Sequence, residues 1–317
     1  VLFEAGLVGD GASGRTGGLV LEGTAAGILD DVEDCVPRLR RLVEHENIEC
    51  DLSLPGCWEI AHRSAGARIL PWTDEGHPVH IARTVTGGWV QPAALTAGIA
   101  EAAVRAGAAV CERSAVSRIG FSPELSLETG ARKFTPGRVV VATNAWINAT
   151  LPGAPSLHTS LTFACVTNPL DTAALSAIGL DEGIPFYTSD LPYLWGRTIR
   201  DGRVIFGAGL VFGSAPELDR TRVNEGSSRT VIDKLQQRIR GLHPALRNVQ
   251  FESAWAGPIA FGESSVPLLG IYPGEPRVIV AGAYAGHGVA LSVRAGELIA
   301  LAIASNRPLP AWGSLVR

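Results

Sequence analysis

Cysteine is scarce and unpatterned in this chain of 317 residues: Cys35, Cys50, Cys57, Cys111 and Cys165 make an odd count, with neither C-x-x-C nor zinc-ligand spacing. That excludes a disulfide framework and a cysteine-based metal site, and predicts a reduced, cytoplasmic setting. Lysine is rarer still, with Lys133 and Lys234 alone. Charge of one sign is missing too. Lys and Arg number 27 against 31 Asp and Glu, a net charge of −4 with the signs interspersed, so there is no basic footprint for nucleic acid. No apolar run approaches a bilayer span, so no membrane partner is expected. No signal peptide, internal repeat or low-complexity tract stands out. Without a Ser/His/Asp ordering or a P-loop, hydrolase and nucleotide-hydrolysing readings have no support.

What is present is a well-buried globule, 46% apolar and 18% charged, too long for one small core and suited to two domains or one inserted in another. Its first stretch, Val1-Leu-Phe-Glu4-Ala5-Gly6, is a short apolar run ending in an acid and opening into glycines. Such a run predicts a buried strand delivering a carboxylate to the edge of an α/β sheet, where an acid can accept from ribose hydroxyls. An ordinary strand entering a turn has the same pattern, and that alternative stays open.

Along the chain, apolar Ile28, Val32, Cys35, Leu39, Leu42 and Val43 predict a helix within 24–47, kinked or restarted by Pro37. Gly56 to Ala61 predicts a strand after a Pro55-Gly56 turn. Pro92 at a first turn and Gly107 at the end bracket an alanine-rich helix. Strands follow at 108–112 and 116–119, then a hairpin around Thr129-Gly130 and a buried strand at 138–142. Strands are expected at 159–167 and 203–207, with the tight-turn signal Asp201-Gly202 before the second. Tyr193, Trp195 and Arg197 alternate, which puts them on one face of a strand. Ser227 or Ser228 is expected to cap a helix that Gly241 closes. Near the end, a buried strand at 277–281 runs into Gly282-Ala-Tyr284-Ala-Gly286-His287-Gly288-Val289 and a helix to about Ile303. That last unit makes the strongest local case, because glycines ahead of a helix N-terminus leave N–H groups free for a ligand.

The loop Gly11-Ala12-Ser13-Gly14-Arg15-Thr16-Gly17-Gly18 resembles the Gly-Ala-Ser-Gly-Arg-Asn-Gly-Gly loop of flavin-dependent amine and amino-acid oxidases of the D-amino-acid oxidase superfamily, in the branch of gamma-glutamylputrescine oxidase. Trp255-Ala-Gly, Pro267-Leu-Leu-Gly270 and Gly286-His-Gly-Val289 resemble later motifs of the same family, so the likeness runs through nearly the whole chain in order. The family opens with a strand, a G-x-G-x-x-G turn and a helix, about 30 residues of a βαβ unit, and this chain starts at the second strand.

The resemblance implies an α/β fold: an N-terminally truncated, Rossmann-like FAD-binding domain (1–48, 84–156 and 253–317) with an inserted, mainly antiparallel substrate domain (49–83 and 157–252). It implies non-covalent FAD held by Glu4, Ala5, Ser13, Gly14, Arg15, Thr16, Gly17, Gly18, Val116, Ala142, Thr143, Asn144, Gly282, Tyr284, Gly286, His287, Gly288 and Val289. Val116 reads equally as plain core, and His287 as a spectator whose backbone matters more than its ring. Neither lysine is placed to promote oxygen chemistry, so a dehydrogenase stays beside an oxidase. For a small amine substrate the candidate catalytic residues are His287, Tyr193, Trp195 and Arg197, with Arg197 as a fork for a distal carboxylate; a sheet face packing on its neighbour is the alternative. The segment Ala260-Phe-Gly-Glu263-Ser264 has no arginine where amino-acid oxidases hold the α-carboxylate. Glu263 is a candidate for the substrate ammonium or an ordinary surface acid. The rivals are a truncated relative that does not hold FAD, and a D- or L-amino-acid oxidase or dehydrogenase.

Overall fold

A computed structural model of the chain describes residues 1–62, 68–151, 153–190, 193–213, 217–218, 225–313 and 315. Its largest element is an eight-stranded sheet in the order Phe251–Phe261, His158–Thr167, Val204–Phe212, Trp195–Thr198, Phe186–Thr188, Cys57–Ala61, His77–Val85, Arg68–Asp74. Neighbours are antiparallel except for the parallel pair Phe186–Thr188 and Cys57–Ala61. Period-two alternation gives this sheet two different faces. Phe163 and Cys165 lie on the side of helix Gly226–Leu242, which adds Ile232, Leu235, Ile239 and Leu242 to that core. Ala164 and Val166 point the other way, beside Trp195 and Trp255. Gly209, at φ +76°, is the extra residue where the pairing of His158–Thr167 with Val204–Phe212 shifts between Thr162 and Phe163. Two of the four expected domain limits, 83/84 and 252/253, fall inside strands of this sheet, His77–Val85 and Phe251–Phe261.

The parallel strands form two separate sheets. Leu2–Phe3 pairs with Val110–Cys111, and Val139–Val141 pairs with Val278–Gly282, which also takes Leu268–Ile271 antiparallel. Among the described residues, Leu2–Phe3 and Val139–Val141 each lie at an edge of their sheet. Leu2 and Val140 are exposed, so each of the two strands expected to be buried turns one side chain to an open face. Helices Cys35–Glu46, Pro92–Arg105 and Gly288–Ser305 bury Leu39, Leu95, Leu291 and Leu298 in one core with Ile279 and Ala281. Gly288–Ser305 is long and apolar enough to span a bilayer by composition, yet its Ala290, Leu291, Arg294, Ala295 and Leu298 are buried inside this domain.

Two expected helices begin elsewhere. Residues 24–34 are not helical; Ile28 is fully exposed, and Asp31 and Asp34 are left-handed. The helix starts at Cys35 because the Glu22 carboxylate accepts from the Cys35 and Val36 amides at 2.7 and 2.9 Å, so Pro37 sits harmlessly in the first turn. Helix Gly226–Leu242 has Glu225 as its N-cap without a side-chain bond. Ser228 is therefore inside the helix, Ser227's side chain lies outside the described residues, and Gly241 falls in the last turn rather than closing it.

Candidate active site

The N-terminal turn starts where strand Leu2–Phe3 ends. Glu4 N donates to the Cys111 carbonyl, Ser114 N donates to the Glu4 carbonyl, and Glu4 Oε1 accepts from Gly6 N at 2.8 Å. Only one Glu4 oxygen is engaged among the described residues, so the other is available to a ribose hydroxyl. The turn then folds on itself. A Cβ on Gly14 would strike the Gly9 carbonyl, one on Gly17 the Trp195 ring, and one on Gly18, already at φ +80°, the Val90 carbonyl. The short helix Ala12–Arg15 lies against strand Phe251–Phe261: Trp255 Nε1 donates to the Arg15 carbonyl at 2.9 Å, and Gly257 leaves room for Arg15. Ser13 is exposed, and Thr16 Oγ1 accepts from Gly18 N.

The C-terminal turn follows strand Val278–Gly282. Ala283 and Ala285 are left-handed, Gly286 has φ +87°, and nothing lies within 4 Å of where a Gly286 Cβ would stand. Helix Gly288–Ser305 has no side-chain cap, so the N–H groups of its first turn, Gly288 and Val289 included, face a site with partial positive charge. Asn144 Oδ1 accepts from Ala283 N at 2.9 Å, which ties the end of strand Val139–Val141 to this turn; Ala142 and Thr143, just before it, are exposed. Val116 packs on the cluster containing Val139, Val141 and Ile147, two residues after the Ser114 amide that holds Glu4.

One strand joins the two turns. Gly257 lies against Arg15, while Ala285 N donates to the Ala260 carbonyl and Tyr284 bridges Phe261. Three residues of extended chain separate these contacts, or about 10 Å, so turns nearly 300 residues apart in sequence face one elongated site.

His287 is half-buried rather than exposed, and its Nδ1 lies 3.3 Å from the Ala285 carbonyl, which can only accept. Burial lowers the pKa of the ring against the opposing pull of that carbonyl, so the imidazole is neutral with Nε2 as an acceptor. Burial raises the phenols of Tyr193 and Tyr284 to about 12, which keeps both uncharged.

The substrate face expected from Tyr193, Trp195 and Arg197 needs correction. Only Trp195 and Arg197 lie in the strand Trp195–Thr198, and Tyr193 sits in the connection before it, though packed in the same cluster as Trp195. Trp195 and Arg197 are 6% and 4% exposed. Arg197 Nε donates to the Gly17 carbonyl at 2.7 Å and its guanidinium lies 5.0 Å from the Trp89 ring, with burial lowering its pKa to about 10. The Trp195 ring and the Arg197 Nε hold the glycine turn. The wall that sequence missed is the neighbouring sheet face: Ile259, exposed Leu210 and Phe212, and the Ser160 and Thr162 hydroxyls, buried and without a partner. Strand alternation once the register is known is the only signal for it. Lys133 and Lys234 are exposed on a hairpin and a helix, and Glu263 is exposed in a turn.

Open space at Gly286, an uncapped helix and an available Glu4 oxygen fit the two ends of a dinucleotide. The family described as FAD dependent oxidoreductase (DAO) matches residues 1–302. The chain is 24% identical to "Probable oxidoreductase OrdL" of Haemophilus influenzae over 96% of its length and 77% of that protein. It is 26% identical to gamma-glutamylputrescine oxidoreductase of Escherichia coli over 95% and 76%. Glycine oxidase from Geobacillus kaustophilus superposes with a TM-score of 0.76 at 20% identity, over 99% of this chain and 91% of that one. The chain belongs to the DAO family of FAD-dependent oxidoreductases, enzymes of the amine and amino-acid oxidase type.

Proposed function

We propose that the chain oxidises a primary or secondary amine, a polyamine derivative or an amino-acid-like compound, with FAD bound non-covalently and oxygen as the acceptor. The observation that carries this reading is the strand Phe251–Phe261, which holds both glycine turns against one site. Glu4, the turn at 11–18, Asn144 and the 282–289 turn are the residues that would hold FAD. Bound there, FAD supplies the acceptor for a hydride leaving the amine's α-carbon, and the imine product hydrolyses in water.

The substrate class is argued from charge. The wall beside the site is apolar or hydroxylic, the Arg197 Nε donates to the Gly17 carbonyl, and 260–264 has no cation for an α-carboxylate. Those features support an amine or polyamine derivative over a simple α-amino acid, and the Escherichia coli relative that acts on gamma-glutamylputrescine is of that kind. Neutral His287 has the acceptor at Nε2 needed to take the proton of a substrate ammonium, since only a neutral amine can lose a hydride. All five cysteines are unpaired, and burial raises the thiols of Cys35, Cys57 and Cys165 to about 12, which suits a reducing, cytoplasmic setting. A panel of polyamine derivatives and α-amino acids, assayed with oxygen and with a dye acceptor, tests the reading. Peroxide from the polyamine derivatives supports it; turnover of α-amino acids alone would overturn the preference for a polyamine derivative, and turnover of neither class with either acceptor would sink the reading.

A further inference from the structure

A cluster of four charged side chains lies outside the cofactor site. His62, just after strand Cys57–Ala61, has Nε2 2.8 Å from Asp74 Oδ2 and Nδ1 2.9 Å from Asp190 Oδ1. Its backbone N–H also donates to Asp190 Oδ2 at 3.0 Å. Arg238, on helix Gly226–Leu242, grips Asp74 in bidentate fashion, Nε to Oδ1 at 2.8 Å and Nη2 to Oδ2 at 2.6 Å, and Asp74 is only 1% exposed. The third guanidinium arm, Nη1, donates to the Tyr193 carbonyl at 2.9 Å.

Carboxylate oxygens meet both ring nitrogens, and a carboxylate oxygen only accepts, so both nitrogens must carry protons. His62 is therefore an imidazolium between two carboxylates, one of which it shares with Arg238. Losing the ring proton would turn one ring lone pair toward a carboxylate oxygen, beside an Asp74 that is 1% exposed. Burial lowers the pKa of His62, but Asp74 and Asp190 outweigh it and raise it above the ordinary 6.5. Among the described residues, the charged groups that meet the ring are Asp74, from strand Arg68–Asp74, and Asp190, from the connection before strand Trp195–Thr198, and Arg238 of helix Gly226–Leu242 meets Asp74 behind it.

Both ends of the cluster act on that one connection. Thr188 and Leu194 close its stem, Thr188 N to the Leu194 carbonyl at 2.8 Å and Leu194 N to Thr188 Oγ1 at 2.9 Å. Within it, Asp190 is bound to His62 and the Tyr193 carbonyl to Arg238. The Tyr193 ring packs with Trp195 and Trp255, against the glycine turn.

We propose that Asp190, His62, Asp74 and Arg238 form a positioning device for Tyr193: with His62 protonated, Asp74 holds Arg238 on the Tyr193 carbonyl, and loss of that proton loosens this chain of bonds, shifts Tyr193 and weakens substrate binding. The consequence for substrate rests on the amine-oxidising reading above, whereas the coupling of His62 to Tyr193 does not. The chain has four tyrosines, so 3-fluorotyrosine labelling with Tyr193→Phe as the assignment gives a resolvable fluorine signal. In the FAD-loaded protein, the Tyr193 signal should shift at the pH where His62 titrates. Asp190→Asn, at a site 30% exposed, should move that pH downward, because one of the two carboxylates holding the proton is gone. Over the same interval KM should rise while kcat holds, the signature of lost uniform binding. A Tyr193 signal indifferent to His62, or a transition that Asp190→Asn leaves in place, overturns the proposal. A signal that follows His62 while KM stays flat overturns its claim on substrate binding. Absence of turnover would defeat the amine-oxidising reading alone, and the fluorine signal would still decide the coupling.

Discussion

The two glycine turns share a sequence style and differ in what their glycines face. At 11–18 the missing side chains make room for the protein itself: the Gly9 carbonyl against Gly14, the Trp195 ring against Gly17, the Val90 carbonyl against Gly18. At 282–289, Gly286 faces empty space ahead of an uncapped helix. A run of glycines therefore shows that something comes close without showing whether it is backbone, a ring or a ligand. The N-terminal turn is held by packing, through Trp195, Arg197 and Trp255, and the C-terminal turn by backbone conformation with room left over.

Substitutions should separate the two turns. Gly14→Ala and Gly17→Ala should cost the most folding stability, about 1–3 kcal/mol from overpacking, read as a lower urea midpoint. Trp195→Leu should return part of the Gly17→Ala loss and none of the Gly14→Ala loss. Next, Arg197→Met leaves the buried Gly17 carbonyl unpaired and should cost about 1–3 kcal/mol in thermal unfolding. Gly286→Ala meets no atom and keeps only the left-handed penalty, about 1–2 kcal/mol, so its loss of FAD affinity should exceed its loss of stability. Trp255→Phe, which removes the bond to the Arg15 carbonyl, should cost about 1 kcal/mol.

Proton linkage supplies the smallest contrast, because two histidines have opposite signs. His62 is held protonated, so its contribution is complete below its ordinary 6.5 and fades as pH rises through the raised folded value. His287 is held neutral, so its contribution is present above 6.5 and fades as pH falls through that value toward the lowered one. His62→Gln should flatten the alkaline side of a stability profile and His287→Gln the acid side, measured by thermal unfolding across pH.

Elements with local start and stop signals were legible. Gln91-Pro92 and Gly107 bound helix Pro92–Arg105, whose N-cap is the Gln91 side chain, and Asp201-Gly202 turns the chain into Val204–Phe212. The helix expected within 24–47 is missing over 24–34, because Ile28 and Val32 matched its period while Glu22, well upstream, sets the true start at Cys35. Arg197 was seen as a functional cation, but its partner, 180 residues away, was not legible. The His62 cluster draws on positions 62, 74, 190 and 238, none in a recognisable motif, so only the fold brings them together.

The central claim is that distant turns grip one dinucleotide, and titration of the purified chain with FAD, followed by flavin absorbance, tests it most directly. The account predicts saturable uptake approaching one FAD per chain, weakened by Glu4→Gln and by Gly286→Val alike. A protein that stays colourless, or binds FAD equally well with either substitution, would contradict it.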